Sequence, residues 1–540
     1  AVTTGVNNTL IGGLAGDALT TGSDNDAIGV STLSTETAGN KSTAIGRGAL
    51  NAQNNSTSTD VYNVAVGYLA GLSVTTGIQN TLIGGLAGDA LTDADRNVAV
   101  GLEALSADTL GSNSVAIGPL ALNNQNFTTA TNSYNTAVGA NAGTAVTTGA
   151  QNTLIGALAG DALTDGGENV AVGYNALSTE DNNGRNIAIG NSALATLNAG
   201  ATAYNVAVGY DAGTAVTTGI RNTIIGGLTG DALTDADYNV AVGWGALTTD
   251  TLGSNSTAVG YRSLNAQNFT TATDSFNTAV GHAAGAAVTT GIFNSLHGAL
   301  AGSSLTDADR NTAVGMNALG SDTLGSKSTA VGQSALFAQN FTTATDSHNT
   351  AVGYNAGVTV TTGRYNTVLG SLAGDALTDG DWNVALGVNA LTTDTSGCTS
   401  VAIGSNSLQV QNFTSATDTY NVAVGYNAGV VVTTATGNTL LGGLAGDAIT
   451  TGQDNVCVGY LAGTYQADVT TGAGNVLVGP YTKPADGTDN FAHGFGYNLS
   501  CAGDFTTLGQ GSSDSRLAHG GTTWATVSDQ RYKKDIVDST

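Results

Sequence analysis

One short pattern of polar and apolar positions returns along almost the whole chain. A polar residue is followed by three mostly apolar ones and a glycine, as in Asn-Val-Ala-Val-Gly at 97–101, Asn-Thr-Leu-Ile-Gly at 80–84 and Ser-Thr-Ala-Ile-Gly at 42–46. The phrase occurs 27 times, its closing glycines running from Gly12, Gly29, Gly46, Gly67 and Gly84 to Gly459 and Gly479. Most steps are 17 residues and every fourth is usually 21, giving a 72-residue super-repeat: Gly12, Gly84, Gly156, then Gly226 after a step of 70, Gly298, Gly370 and Gly442. Fixed periods of this size predict stacked coils, each contributing one short strand, rather than a globular enzyme. The expected fold is all-β, a parallel β-solenoid or β-roll of about 27 coils. At a strand spacing of roughly 4.8 Å such a stack is a rod on the order of 130 Å long, and one super-repeat rises about 19 Å.

The columns of the phrase carry more. Four residues before the glycine stands Asn in 22 copies and Ser in five; two before is Ala in 18; one before is Val, Ile or Leu in every copy except His297. Successive side chains of a strand point to opposite faces, so the residues one and three before the glycine share a face and the one between them points away. Both faces are apolar, which predicts a strand covered on both sides. The sequence reading places the Val/Ile column in the coil interior and the Ala column against a partner chain, most simply two further copies about a threefold axis. The residues leave open a flattened single-chain solenoid with a wide interior. Asn and Ser fit a turn whose backbone they hydrogen-bond, and stacked coils put Asn on Asn. The glycine supplies the bend that leaves the strand.

Composition agrees. Gly is 77 of 540 residues, Pro 3 and charged residues 10%, with Thr, Val and Asn in place of long-helix formers. The net charge of −26 argues against nucleic acid and anionic membrane surfaces as partners and favours solubility. No apolar run reaches 18 residues, so no membrane span is expected. Cys398, Cys457 and Cys501 have neither metal-ligand spacing nor a disulfide framework. The chain opens mid-repeat at Ala1 without a signal peptide, as expected of a fragment or processed form. Residues 1–479 hold no nucleophile–base–acid set, phosphate loop or zinc motif, so no cofactor and no enzymatic turnover are expected.

Several features decorate the repeat. The long step carries Gln-Asn-Phe-Thr-Thr-Ala-Thr-Asp-Ser at 267–275 and 339–347, with close copies at 125–133 and 411–419. Phe127, Phe269, Phe341 and Phe413 therefore recur in register, as do Tyr62, Tyr134, Tyr204, Phe276, His348 and Tyr420 ahead of the Asn. An aromatic row of this kind is a candidate binding stripe for a glycan or a partner; the competing expectation is that the rings serve as buried area. Asp17, Asp89, Asp161, Asp231, Asp375 and Asp447, with the pairs Asp93/Asp95, Asp235/Asp237, Asp307/Asp309 and Asp379/Asp381, are expected in solvated turns, since they lack calcium β-roll spacing. Val-Thr-Thr-Gly recurs only once per four coils, sparse for an ice-binding plane.

After Gly479 the rhythm weakens at Pro480 and Pro484, with looser echoes at Asn490–Gly494 and Phe505–Gly509. The reading divides the chain into a repeat shaft at 1–479, a cap or tip at 480–527 and a distinct tail at 528–540. That tail begins Ser528-Asp529-Gln530-Arg531-Tyr532-Lys533-Lys534-Asp535-Ile536. It resembles the start of the intramolecular chaperone, or auto-processing, domain at the C-termini of phage tail spikes, tail fibres and endosialidases. The resemblance covers about nine residues, with Tyr532 where the family usually has Leu, and the sequence stops at Thr540, short of a complete domain. It implies trimerisation followed by self-cleavage just before the serine, with Ser528 as nucleophile and Lys533 as the base that activates it. The repeat phrase itself is similar to the head repeats of trimeric autotransporter adhesins, whose coils carry Asn-Ser-Val-Ala-Ile-Gly, which implies a trimeric left-handed parallel β-roll. Both resemblances imply a homotrimeric fibrous surface protein. The first points to a phage tail fibre on the virion that meets a host-surface glycan or protein and other tail proteins; the second points to a bacterial adhesin or extracellular fibre at the cell surface.

Overall fold

A computed structural model describes residues 2–182, 184–466 and 468–527. Among them there is no helix, and every regular element is a β-strand. The chain forms two units, one up to Phe276 and one from Asn277. Each is a stack of coils that adds one short strand per turn to a parallel sheet, three residues long in all but the last two, fifteen strands in the first unit and fourteen in the second, about 29 turns in all. Neighbouring copies of the phrase pair in register: Thr43, Ala44 and Ile45 lie beside Val64, Ala65 and Val66, and Thr350, Ala351 and Val352 beside Thr367, Val368 and Leu369.

The 27 phrases become 27 of these strands, and two more follow. His493–Tyr497 pairs parallel to Val476–Val478 and sets Phe495 beside Val478, so this coil closes at Gly496, two residues beyond the expected echo. Phe505–Gln510 stacks on it in turn, with Gly509 beside Gly496 as that echo predicts. The chain then reverses. Ser513–Ala518 and Ala525–Val527 run antiparallel and end the ladder.

The closing glycine is dictated twice. At Gly84 φ is +135°, and a Cβ there would stand 2.3 Å from the carbonyl oxygen of Gly101 in the next coil. Backbone therefore packs on backbone up this column, a close approach only glycine permits. The Asn column is a hydrogen-bonded ladder. The Asn97 N–H donates to Asn80 Oδ1 at 2.9 Å, while Asn80 Nδ2 donates to the carbonyl of Ala94 at 2.8 Å. In the second unit Asn383 and Asn366 repeat the arrangement. Each buried Asn thus satisfies two turn groups of its neighbour, which the interior would otherwise leave unpaired.

Inside and outside are the reverse of the sequence expectation. The middle residue of the phrase is the one facing the coil interior: Ala44, Ala65, Leu82, Ala99 and Ala116 are fully buried. The flanking Val, Ile and Thr point outward, and Ile83 and Ile155 remain 38% and 39% exposed. The physical reason is thickness. The strand packs directly on the following run of turns, where Ala49, Leu50, Ala70 and Ala87 are also fully buried, so there is room for Ala or a single larger side chain and no wide interior. Sizes are exchanged between coils. Leu82 fills the space that side chains at Gly71 and Gly88 would take, since a Cβ on either would meet a Leu82 methyl at 2.7 Å. Burying one such Leu contributes about 1.5–3 kcal/mol. His297 follows the same rule: it sits on the outward face, half-buried, and does not interrupt the core.

Candidate interaction surfaces

The outward face of each sheet carries two columns of β-branched and aliphatic side chains, one and three residues before the glycine. A third exposed column stands just after it, with Tyr68, Tyr174 and Tyr210 in the first unit and Tyr354 and Tyr426 in the second. Trp244 and Tyr261 stack there at 5.3 Å, with the Arg262 guanidinium 5.8 Å from the indole. The column one residue before the glycine is aliphatic in all phrase copies but His297 and stays part-exposed up each stack, an apolar strip of the kind that marks an interaction surface.

The residue before the Asn forms a separate exposed column. Tyr62, Tyr134, Tyr204, Phe276 and Tyr420 are about half exposed, and with His348 they hold left-handed backbone, φ between 48° and 55°. An aromatic residue adopts that geometry at an energetic cost, which the stacked turns above and below impose. In other coils the same position holds cations and further rings, and they pair up the stack. Arg221 lies 5.3 Å from the Tyr238 ring centre, Arg310 lies 5.3 Å from Phe293, and His348, Tyr365 and Trp382 stack at 5.4 and 4.0 Å. Lys41 Nζ donates to Asp60 at 2.7 Å and lies 5.1 Å over Tyr62; the hydrogen bond from this ammonium holds the Asp60 carboxyl below its ordinary range. Arg185 likewise lowers Glu168. These exposed pairs are individually weak.

Phe127, Phe269, Phe341 and Phe413 are only 5–8% exposed. The expectation of a ligand-facing row at these positions is corrected: the rings close over a buried polar cluster that the sequence reading missed. In the long-step coils, where Ser replaces Asn, a carboxylate six residues before the Ser and a Gln eleven after it complete the ladder. Gln125 Nε2 donates to Asp108 Oδ2 at 2.6 Å and to Ser114 Oγ at 2.9 Å, while Gln125 Oε1 accepts from Asn135 Nδ2 at 2.8 Å. Asp108 Oδ1 accepts the N–H groups of Gly111 and Phe127 at 3.0 and 3.1 Å. The same relay joins Glu36, Gln53 and Ser42; Asp250, Gln267 and Ser256; Asp322, Gln339 and Ser328; and Asp394, Gln411 and Ser400. Burial pushes the Asp108 carboxyl up, against the pull of Gln125 and the two amides. The readable signal is the strict coupling of Ser to an acid at −6 and Gln at +11.

The acidic turns are structural. Asp95 Oδ1 accepts the N–H of Ile78 at 2.8 Å, and Asp93 accepts from the Thr76 hydroxyl. Asp89 and Asp161 are half-buried and raised by desolvation, rather than freely solvated. Among the described residues no three His, Cys, Asp or Glu side chains come together as a metal site. The threonines of Val-Thr-Thr-Gly bond to the neighbouring coil, Thr361 Oγ1 to the Thr378 carbonyl at 3.0 Å, instead of forming a free plane. All three cysteines are buried and unpaired. No helix among the described residues is long and apolar enough to cross a membrane.

Neither a family model nor a curated protein matches the chain. Ser528 and Lys533 lie outside the described residues; the last described strand ends at Val527. One further surface had no sequence signal beyond tyrosine content, a cleft between Leu461 and Asn498.

Proposed function

We propose that this chain is a structural and adhesive protein, the shaft of a homotrimeric β-solenoid fibre displayed on a virion or outside a cell, with a bacteriophage tail fibre that carries host recognition as the leading reading. The observation that supports it is the outward face of each sheet: a Val/Ile/Leu column beside one of Thr and Val, both left part-exposed by a chain of net charge −26. Three copies turning that face to a common axis would bury it, and the acidic and polar turns would remain in solvent. In this reading the partner chains would lie on the Val/Ile face, opposite to the side inferred from the sequence. The resemblance of Ser528–Ile536 to auto-processing domains favours the phage; the similarity of the phrase to adhesin heads favours a bacterial surface fibre, the alternative of the same architecture.

The test is the mass in solution. The chain has a mass of 53.2 kDa, so the trimer gives about three times that by light scattering. Replacing Val138, Ile155 and Val172 together by Asp charges three consecutive outward positions without entering the interior; the expected result is a monomer with unchanged far-UV circular dichroism. A wild-type chain that scatters as a monomer defeats the proposal.

A further inference from the structure

The tyrosines near the end of the second unit meet in an uncharged cleft of about 440 Å³ lined by Leu461, Tyr465, Tyr481, Tyr497 and Asn498. Tyr481 is the hub. Its ring centre lies 4.9 Å from Tyr465, 5.5 Å from Tyr460 and 5.7 Å from Tyr497, with interplanar angles of 68°, 89° and 83°. Edge-to-face rings make walls at right angles, so the cleft offers ring faces on more than one side rather than a single flat platform. Its shape is held from outside. Lys483 Nζ sits 4.9 Å over Tyr465 and donates to Gln466 Oε1 at 2.8 Å, and the Asn498 N–H donates to the Pro480 carbonyl at 2.9 Å. Tyr481 and Asn498 both hold left-handed backbone, φ 62° and 50°; Tyr481 is half-buried and Asn498 exposed. The Asn498 carboxamide makes no hydrogen bond within the described residues and stands exposed at the rim.

We infer that this cleft is a saccharide-binding site. Its volume falls within the roughly 300–1,000 Å³ of small-molecule clefts. A pyranose presents an apolar face of C–H groups and a rim of hydroxyls that both donate and accept. Tyrosine faces take the first; phenolic hydroxyls and a free carboxamide, each able to donate and accept, take the second. No lining residue is charged, and the flanking Lys483 ammonium is engaged by the Tyr465 ring and Gln466, so the site suits neutral sugars. A proline-rich peptide also packs on aromatic rings, but it lays its length along an extended groove, whereas the rings here meet at steep angles within one short cleft. The inference deepens the adhesive reading by giving it a binding site, yet the cleft belongs to a single chain.

The experiment uses the full chain, with saturation-transfer NMR and calorimetry against neutral di- and trisaccharides of glucose, galactose, mannose, rhamnose and N-acetylglucosamine, and with a proline-rich decapeptide as the competing ligand. Saccharide binding is expected, weakened at least tenfold by Tyr481→Ala and several-fold by Asn498→Ala. The second variant removes an exposed, unbonded group, and far-UV circular dichroism of both variants checks that the fold tolerates Ala in the left-handed backbone of residue 498. Absence of binding across the panel, binding indifferent to both variants, or binding of the peptide alone overturns the inference. Light scattering on the same sample separates the two readings: a trimer that binds no sugar sinks the site and keeps the fibre, and a monomer that binds sugar does the reverse.

Discussion

Replacing Gln125 by Leu tests the buried relay most directly, because the side chain is nearly isosteric and fully buried. The substitution removes one hydrogen bond to a carboxylate and two neutral ones. The first contributes about 1.5–3 kcal/mol and each of the others about 1. Leu returns about 1 kcal/mol of apolar burial. The net loss is about 3 kcal/mol, or ~100-fold in the constant for local opening. Stacked coils open piecemeal, so the readout is hydrogen-exchange protection of the segment 108–127, with the unaltered 322–341 relay of the same molecule as internal control. The pH dependence carries its own sign. Asp108 is raised in the folded chain, so the fold favours the neutral acid; stability is gained as pH falls through the raised value toward the ordinary ~3.9 and lost as pH rises. Removing Gln125 takes away a partner that lowers this pKa, which steepens the trend. The deficit is therefore full at neutral pH and shrinks toward pH 4, where a protonated, neutral Asp108 loses less by the absence of the Gln125 donor. Equal loss of protection at 322–341, or a deficit that ignores pH, refutes the reasoning.

Other predictions follow from the same geometry. Gly84→Ala should open its coil at a cost above about 3 kcal/mol, because both φ and the Gly101 carbonyl exclude a Cβ; a variant with unchanged melting temperature would contradict this. Ala171→Leu should destabilise by about 1–3 kcal/mol through overpacking, whereas Val172→Ser on the outward face leaves the monomer's stability within about 0.5 kcal/mol, as read by thermal melts of the unassociated chain. Burial pushes the Cys457 thiol up to about 12, and both Cys398 and Cys501 are raised as well, so a thiol reagent at pH 8 should label none of the three before unfolding. His493 is held low by burial and by His519, whose ring is 4.6 Å away. Its stabilising contribution is full above the ordinary histidine pKa and lost as pH falls, so Phe505–Gln510 should exchange faster at pH 5 than at pH 7 after intrinsic correction. Full-length protein should be cut between Val527 and Ser528, and Ser528→Ala should stop it; an intact mass unaffected by that substitution counts against processing.

The strand, the glycine bend and the Asn ladder were legible because each rests on local chemistry repeated in register. The assignment of faces was not. Both sides of Asn-Val-Ala-Val-Gly are apolar, and the habit of placing the larger side chain inside fails when the coil is only one Ala thick. Leu82 against Gly71 and Gly88 held the answer, a size exchange readable only across neighbouring coils. The relay was legible in principle, since Asp108, Ser114 and Gln125 covary in every long step, but it requires comparing positions eleven and six residues apart in opposite directions. The four phenylalanines looked like decoration because their lid role depends on that relay. The tyrosine cleft depends on Tyr465, which stands in a 20-residue step, Gly459 to Gly479, that occurs nowhere else in the repeat.

The strand reversal after Gln510 has a consequence for polymerisation. A parallel ladder with an open last rung is a template: the first coil of another copy could dock on it and the stack could grow without limit. Antiparallel pairing spaces its hydrogen bonds differently from parallel pairing. Once Ser513–Ala518 has turned back on Phe505–Gln510, an incoming parallel coil meets a mismatched edge. The reversal blocks growth of the ladder beyond Phe505–Gln510, whatever the concentration of further copies.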